Sequence, residues 1–161
     1  MTRHPNRAIV GLISDTHGLL RPSVHPALEG VDFILHAGDV GGDDILTELA
    51  IIAPVHAVFG NTDVPGDPNL SQEIVIEVGG MSIHVSHGHE VESPTPERLA
   101  SRYGHDVIVY GHTHRQLVSH IGNQLIVNPG AAGQQRFKLL PTVARLTIGD
   151  GAANVEILAL D

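Results

Sequence analysis

The first clear hydrophobic signal is Ala8-Ile9-Val10-Gly11-Leu12-Ile13, a run without polar alternation that closes on Ser14-Asp15. A short continuous apolar run rich in β-branched residues predicts a strand covered on both faces. Residues 22–30 predict a short helix, and Asp32-Phe33-Ile34-Leu35-His36 a second strand that ends at Ala37-Gly38-Asp39. Asp43 and Asp44 open a helix through Ala50, with acids at its positive end, and Pro54 stops it. Val55 to Phe59 predicts a third strand, ending at Gly60-Asn61.

The pattern then changes. Residues 74–78 and 81–85 are apolar runs that flank Gly79-Gly80, the signature of a hairpin. His87-Gly88-His89 follows, and Thr95-Pro96-Glu97 opens a helix to about Tyr103, with proline in its first turn. Val107 to Tyr110 predicts a short strand that runs into Gly111-His112-Thr113-His114. A second hairpin spans 116–121 and 124–128 around Gly122-Asn123, and the last strands, 142–148 and 154–160, turn at Gly149-Asp150-Gly151. Strand and helix alternate in the first half and hairpins enter in the second, which predicts an α/β domain of sheet packed on sheet with helices outside. No repeat, low-complexity run or linker interrupts the chain, so residues 1–161 are expected to form a single domain.

Composition narrows the function classes. At 161 residues the chain can bury roughly 70% of the surface its unfolded form exposes, enough for a core without staples. Cysteine is absent, which removes disulfides, zinc–thiolate sites and a cysteine nucleophile. Net charge is −9 with histidine neutral, and there are only three Phe, two Tyr and no Trp. A broad phosphate-binding surface and a stacking platform are both disfavoured, so no stable nucleic-acid complex is expected. The apolar run after the polar N-terminus is too short for a signal core, and nothing approaches the roughly 20 residues of a membrane helix. A cytoplasmic protein without membrane attachment is therefore expected. The oddity is histidine: 12 residues, more than the 9 Lys and Arg together.

Position explains more than the count. Polar clusters sit where predicted strands end: Asp15-Thr16-His17, Gly38-Asp39, Gly60-Asn61-Thr62-Asp63, His87-Gly88-His89 and Gly111-His112-Thr113-His114. Ligands of α/β sheets bind beyond the carboxyl ends of strands, so all five clusters can face one crevice. Taken singly, Asp-x-His reads as a capped loop and Gly-Asp or Gly-Asn-x-Asp as a turn. Gly-His-x-His says more, because imidazoles two residues apart point the same way on extended backbone. Two aspartates, one asparagine and several imidazoles suit Mn²⁺, Fe²⁺, Zn²⁺, Co²⁺ or Ni²⁺ better than Cu⁺ or Ca²⁺. Seven residues can fill eight positions if one carboxylate bridges, the arithmetic of a two-metal site.

This ordered set resembles the calcineurin-like metallophosphoesterase family, in particular its small YfcE-like phosphodiesterase branch, and the resemblance runs from the first strand to Asn128-Pro129-Gly130. It implies a two-sheet β-sandwich flanked by helices, in α/β/β/α layers. It also implies two divalent metal ions, Mn²⁺ foremost and Ni²⁺, Fe²⁺, Zn²⁺, Co²⁺ or Mg²⁺ as alternatives. Asp15, His17, Asp39 and His114 would hold the first, and Asp39, Asn61, His87 and His112 the second, with Asp39 bridging. Asp39, Asn61 and His87 would carry the catalytic part, and a metal-bound hydroxide would attack a small phosphoester substrate. Many larger relatives have histidine where this chain has Thr62, and small relatives commonly have serine where it has Ala131. Thr62 is a poor general acid, which favours phosphodiesters whose leaving group needs little protonation.

The alternatives are a phosphomonoesterase acting on a nucleotide or sugar phosphate and, from another class, a non-catalytic scaffold like the retromer subunit of this fold. A serine-triad hydrolase is disfavoured because no Gly-x-Ser-x-Gly elbow occurs. Among remaining residues, His89 could reach substrate, Asp63 could orient a ligand or hold its own loop, and His36 reads as core rather than ligand. Arg115 and Arg136 read as surface residues that could meet an anion, and His4 has no supporting motif. Loops 62–72 and 88–96 would shape the pocket, and the open sheet edges allow a homodimer.

Overall fold

The computed structural model describes residues 7–64, 66–135 and 138–160; His4 and Arg136 lie outside them. Its first sheet is built around β1 (Ala8–Ile13), β2 (Phe33–His36) and β3 (Val55–Ala57), all parallel, with α1 (Val24–Ala27) and α2 (Asp43–Ile52) as crossovers. The chain then builds a second sheet. This contains β4 (Ile74–Val78), β5 (Met81–Val85), β6 (Val107–Val109), β7 (Leu117–Ile121) and β8 (Gln124–Asn128), with α3 (Pro96–Arg102) between β5 and β6. Finally β9 (Thr142–Gly149) and β10 (Ala152–Ala159) return to the first sheet. Strand orders are β10-β9-β1-β2-β3 and β4-β5-β6-β8-β7. Both sheets are mixed: the first is antiparallel from β10 through β9 to β1 and parallel from β1 to its edge β3, and the second has a parallel centre and antiparallel edges.

The apolar strand faces explain the layers. Val10, Leu12, Phe33, Leu35, Ala144 and Leu146 of the first sheet meet Ile83, Val85, Val107, Val109, Leu125 and Val127 of the second in one buried core. Alternate residues point outward: Ile13, Ile34 and Val143 pack under α1 and α2, and Ile108 and Ile126 pack under Leu99 of α3. β1, β2 and β6 are therefore apolar on both faces, as their unbroken hydrophobic runs require. No helix of the described residues is long and apolar enough to cross a membrane.

Three elements are shorter than their patterns predict. The helix expected over 22–30 reduces to Val24–Ala27, because Pro22 and Pro26 supply no backbone donors and Gly30 turns left-handed at φ 82°. The third strand stops at Ala57; Val58 makes only an isolated bridge to Ser71. The strand expected from Val107 to Tyr110 ends at Val109, whereas α3 opens where expected, at Pro96, with Thr95 as the N-cap whose hydroxyl accepts the Arg98 N–H.

Candidate metal centre

The parallel strands of the two sheets deliver their exit loops to one end of the sandwich, and backbone hydrogen bonds lace those loops together. Asp15 N–H donates to Gly38 O, Gly111 N–H to His87 O, and Ala132 N–H crosses between the sheets to Ser14 O. The seven candidate side chains converge in the crevice that results. Asp15 Oδ1 lies 3.4 Å from His114 Nε2 and 3.8 Å from both His17 Nε2 and His87 Nε2. Asp39 Oδ2 lies 3.2 Å from His87 Nε2 and 3.7 Å from His17 Nε2. Asn61 Oδ1 sits between His87 Nε2 at 3.0 Å and His112 Nδ1 at 3.1 Å. His17 and His114 bring their Nε2 atoms to 3.4 Å.

The backbone that aims these groups is unusual. Asp15, His17, Asp39, His112 and His114 all have positive φ, between 47° and 70°. The expectation of extended backbone through Gly-His-x-His is therefore wrong. His112 and His114 turn left-handed, at 70° and 64°, so the strand can end and still present both rings to the crevice. Left-handed backbone costs a non-glycine residue roughly 1–2 kcal/mol, and Asp and His tolerate it better than most.

A layer of polar residues around the crevice holds this conformation. Asp63 accepts the N–H groups of Val40, Gly41 and Gly60 at 2.9–3.1 Å, joining the exits of β2 and β3. The choice between orienting a ligand and holding a loop thus falls to the loop. Thr62 N–H donates to Asp39 Oδ1, and Ser14 Oγ and His112 N–H donate to Asp15 Oδ2. The Asn128 amide donates to Gly111 O and Thr113 Oγ1, bracing the segment that carries His112 and His114. Glu90 accepts Gly88 N–H and the Tyr103 hydroxyl, fixing the turn after His87. The approach is close enough that a Cβ on Gly60 would fall on the Asp39 carboxylate, and one on Gly111 on the Ser14 hydroxyl.

His36 is buried and lies outside the cluster. Its Nδ1 accepts Gly38 N–H, so its proton is on Nε2 facing Thr16 Oγ1, and the Thr16 hydroxyl in turn donates to Val40 O. Burial pulls this imidazole down to about 4, against the carboxylates of Asp15, Asp63 and Asp39. His89 stands exposed at the rim, its ring centroid 5.4 Å from that of His87 and 6.4 Å from that of His112. Arg115 is exposed. Sequence reasoning passed over Asn128, Glu90 and Tyr103; the signal for Asn128 was a polar residue closing an apolar strand just before Pro-Gly.

The electrostatics are those of a site short of positive charge. Burial opposes a charge on His87, but the Asp39 hydrogen bond, Asp15 and Ala37 O outweigh it and raise its pKa. Burial likewise disfavours the Asp39 carboxylate, and His87 and the Thr62 N–H overcome that, holding the group well below the usual carboxylate range. Burial and neighbouring His87 lower the His112 pKa and keep that ring neutral. Asp15 Oδ1 is buried without any hydrogen-bond partner. Asp15, His17 and His114 form one group whose donor atoms all lie within 4.8 Å of one another, and Asp15, Asp39 and His87 form another.

This fold and this cluster define a metallophosphoesterase: the profile of the calcineurin-like phosphoesterase superfamily domain matches residues 9–151, and the chain belongs to that superfamily of metal-dependent phosphoester hydrolases. A probable metallophosphoesterase of Methanothermobacter thermautotrophicus is 35% identical over 149 residues, covering 86% of this chain and 80% of its own. A phosphodiesterase of Methanocaldococcus jannaschii is 26% identical over 140 residues, covering 75% of this chain and 82% of its own. Vps29 of Entamoeba histolytica, solved in complex with Zn²⁺, superposes with a TM-score of 0.73 at 25% identity, over 95% of this chain and 99% of that one.

Proposed function

We propose that the protein is a dimetal phosphodiesterase, with Asp15, His17, Asp39 and His114 holding one divalent ion and Asp39, Asn61, His87 and His112 the other. The observation that carries this reading is the orphaned Asp15 Oδ1, a buried carboxylate oxygen ringed by three imidazole Nε2 atoms and bonded to none. An uncompensated buried acceptor is costly, and a cation removes the cost. Donors about 2.1 Å from a common ion lie roughly 3.0–3.4 Å apart, which is close to the separations among these atoms. The donor set, oxygen and neutral imidazole without thiolate, accommodates Mn²⁺ alongside Fe²⁺, Zn²⁺, Co²⁺ or Ni²⁺.

When bound, two such ions supply charge to a phosphoryl group and lower the pKa of water to around 7. The chain's own residues do the rest. Nδ1–H of His87 donates to Ala37 O at 2.8 Å, which points Nε2 into the crevice and leaves it free to exchange its proton for an ion. Asn61 offers Oδ1 to the cluster, and its amide can donate to a phosphate oxygen. Thr62 supplies a backbone N–H to Asp39 and no titratable group, so nothing at that position protonates a leaving alkoxide. A diester with a good leaving group suits that arrangement. The phosphodiesterase among the relatives supports the same choice.

The test is a panel of phosphodiesters and phosphomonoesters assayed with Mn²⁺, Ni²⁺, Mg²⁺ and Zn²⁺ in turn. Diester turnover with Mn²⁺ above monoester turnover is expected, with Thr62→His shifting the ratio towards monoesters. Metal-independent inactivity across the panel would overturn the reading. It would then favour a partner-binding scaffold, the alternative that the likeness to Vps29 raises.

A further inference from the structure

Beside the candidate metal centre lies a cavity of about 340 Å³ that the cluster itself does not use. Its walls belong to the two loops that carry Asp39 and Asn61: Val40 follows the first and Thr62 the second, and both line it. The volume matches the lower end of small-molecule pockets. Leu46, Leu70 and Val64 supply apolar wall, and Val64 is 72% exposed, a large apolar side chain at the mouth left uncovered by the fold. The polar lining is one-sided. Asp43, Asp63 and Asp67 contribute carboxylates, and no Lys, Arg or His lines the cavity among the described residues. Asp63 is committed to three backbone N–H groups, whereas Asp43 is exposed and accepts from the Asn69 side-chain amide, and Asp67 is half-buried and accepts the Asn69 N–H.

We infer that this cavity receives the organic arm of the substrate and selects a phosphodiester whose arm carries an ammonium group. The inference rests on the phosphodiesterase reading and adds the substrate class to it. A second phosphate or a carboxylate placed there would face three carboxylates with no cationic side chain in the lining to offset them. An ammonium arm is attracted by the same charges, and its methylenes or methyls cover Val64, Leu46 and Leu70. Because Val40 and Thr62 directly follow Asp39 and Asn61 in the chain, the cavity adjoins the cluster, and a substrate whose phosphate sits at the crevice needs only a short arm to reach the acidic wall.

The experiment compares p-nitrophenyl phosphorylcholine with its neohexyl analogue, in which carbon replaces the nitrogen. Both release the same p-nitrophenolate, so chemistry at phosphorus is held constant and only the arm differs. We expect kcat/KM for the choline ester to exceed that of the neohexyl ester by about fivefold at low ionic strength, the scale of partly exposed charge pairs. The ratio should fall towards one in Asp43→Asn and in Asp67→Asn, and in wild type at about 0.5 M NaCl, where exposed charges are screened. Using the ratio cancels any general loss from altered folding, and Asp67→Ser provides a second truncation with the same expected result. Hydrolysis of both esters at equal kcat/KM, or a preference that ignores Asp43, Asp67 and salt, overturns the assignment of the cavity and leaves the phosphodiesterase reading standing. Hydrolysis of neither ester, nor of bis-p-nitrophenyl phosphate with any of the four metals, overturns the phosphodiesterase reading and this inference with it.

Discussion

Replacing His36 by glutamine tests whether a neutral imidazole at the root of the crevice makes the fold acid-sensitive. His36 is fully buried, and both ring nitrogens are engaged in a pattern only the neutral ring satisfies: Nδ1 accepts Gly38 N–H, and Nε2–H faces Thr16 Oγ1. A second proton would confront the Gly38 donor. The folded ring therefore titrates near 4 and the unfolded one near 6.5. Below the unfolded value the unfolded chain takes up a proton that the fold refuses. The contribution to stability is thus complete above about pH 6.5 and is lost as pH falls towards 4. Linkage puts the loss on the order of 1 kcal/mol by pH 5.5 and of 2–3 kcal/mol by pH 4.5. Urea unfolding of chelator-treated wild type and His36→Gln at several pH values measures it, since acid effects of the metal-cluster histidines are common to both proteins. Glutamine leaves Gly38 N–H without its acceptor, so the variant should be about 1 kcal/mol less stable at pH 7.5. It should then lose less on acidification, so the two curves converge or cross. Curves that stay parallel down to pH 4.5 would refute the neutral buried imidazole as the source.

Asp63→Ala should cost about 2–3 kcal/mol in urea unfolding, because three N–H groups from two loops lose a charged acceptor, and a cost below about 0.5 kcal/mol would contradict that bracing role. Gly60→Ala should lower metal content and stability together, since its Cβ meets the Asp39 carboxylate, whereas Gly104→Ala, which meets nothing within 4 Å, should stay within about 0.5 kcal/mol of wild type. Asp39→Asn should empty both proposed metal positions, read by elemental analysis of the purified protein; two ions per chain in that variant would remove the shared carboxylate from the scheme. Metal content of wild type should fall as pH drops below roughly 6, where free imidazoles protonate, and equilibrium dialysis across that range reads the loss.

Much of the architecture is written locally. The hairpins at Gly79-Gly80 and Gly122-Asn123 appear where the sequence places them, since glycine is free to take the left-handed turn, with φ of 56° and 80° at the first pair. The buried strands are visible as unbroken apolar runs. What is not visible is which strands share a sheet. β9 joins β1, and β8 inserts between β6 and β7, through pairings distant in sequence, which no local pattern encodes. The same division holds in the site. Asp15, Asp39, Asn61, His87 and His112 could be read as a recurring series of strand-end polar residues. Asp63 could be read as holding its own loop, but its reach to Val40 and Gly41 and the bracing by Asn128 and Glu90 could not, because they depend on loops meeting in space. The left-handed backbone at His112 and His114 is hidden for a related reason: side-chain alternation holds only within the strand, which ends at Val109.

The five left-handed positions have a bearing on how such a chain changes over evolutionary time. At about 1 kcal/mol each, backbone strain at Asp15, His17, Asp39, His112 and His114 is a sizeable share of the 5–15 kcal/mol that holds an ordinary domain together. Glycine or asparagine at any of them relaxes the chain, so once selection for metal binding lapses, drift towards those residues is downhill in stability. The crevice is then the first part of the molecule to decay, and its decay strengthens the sandwich beneath. A lineage could abandon the chemistry and keep a sturdier version of the same surface for other uses.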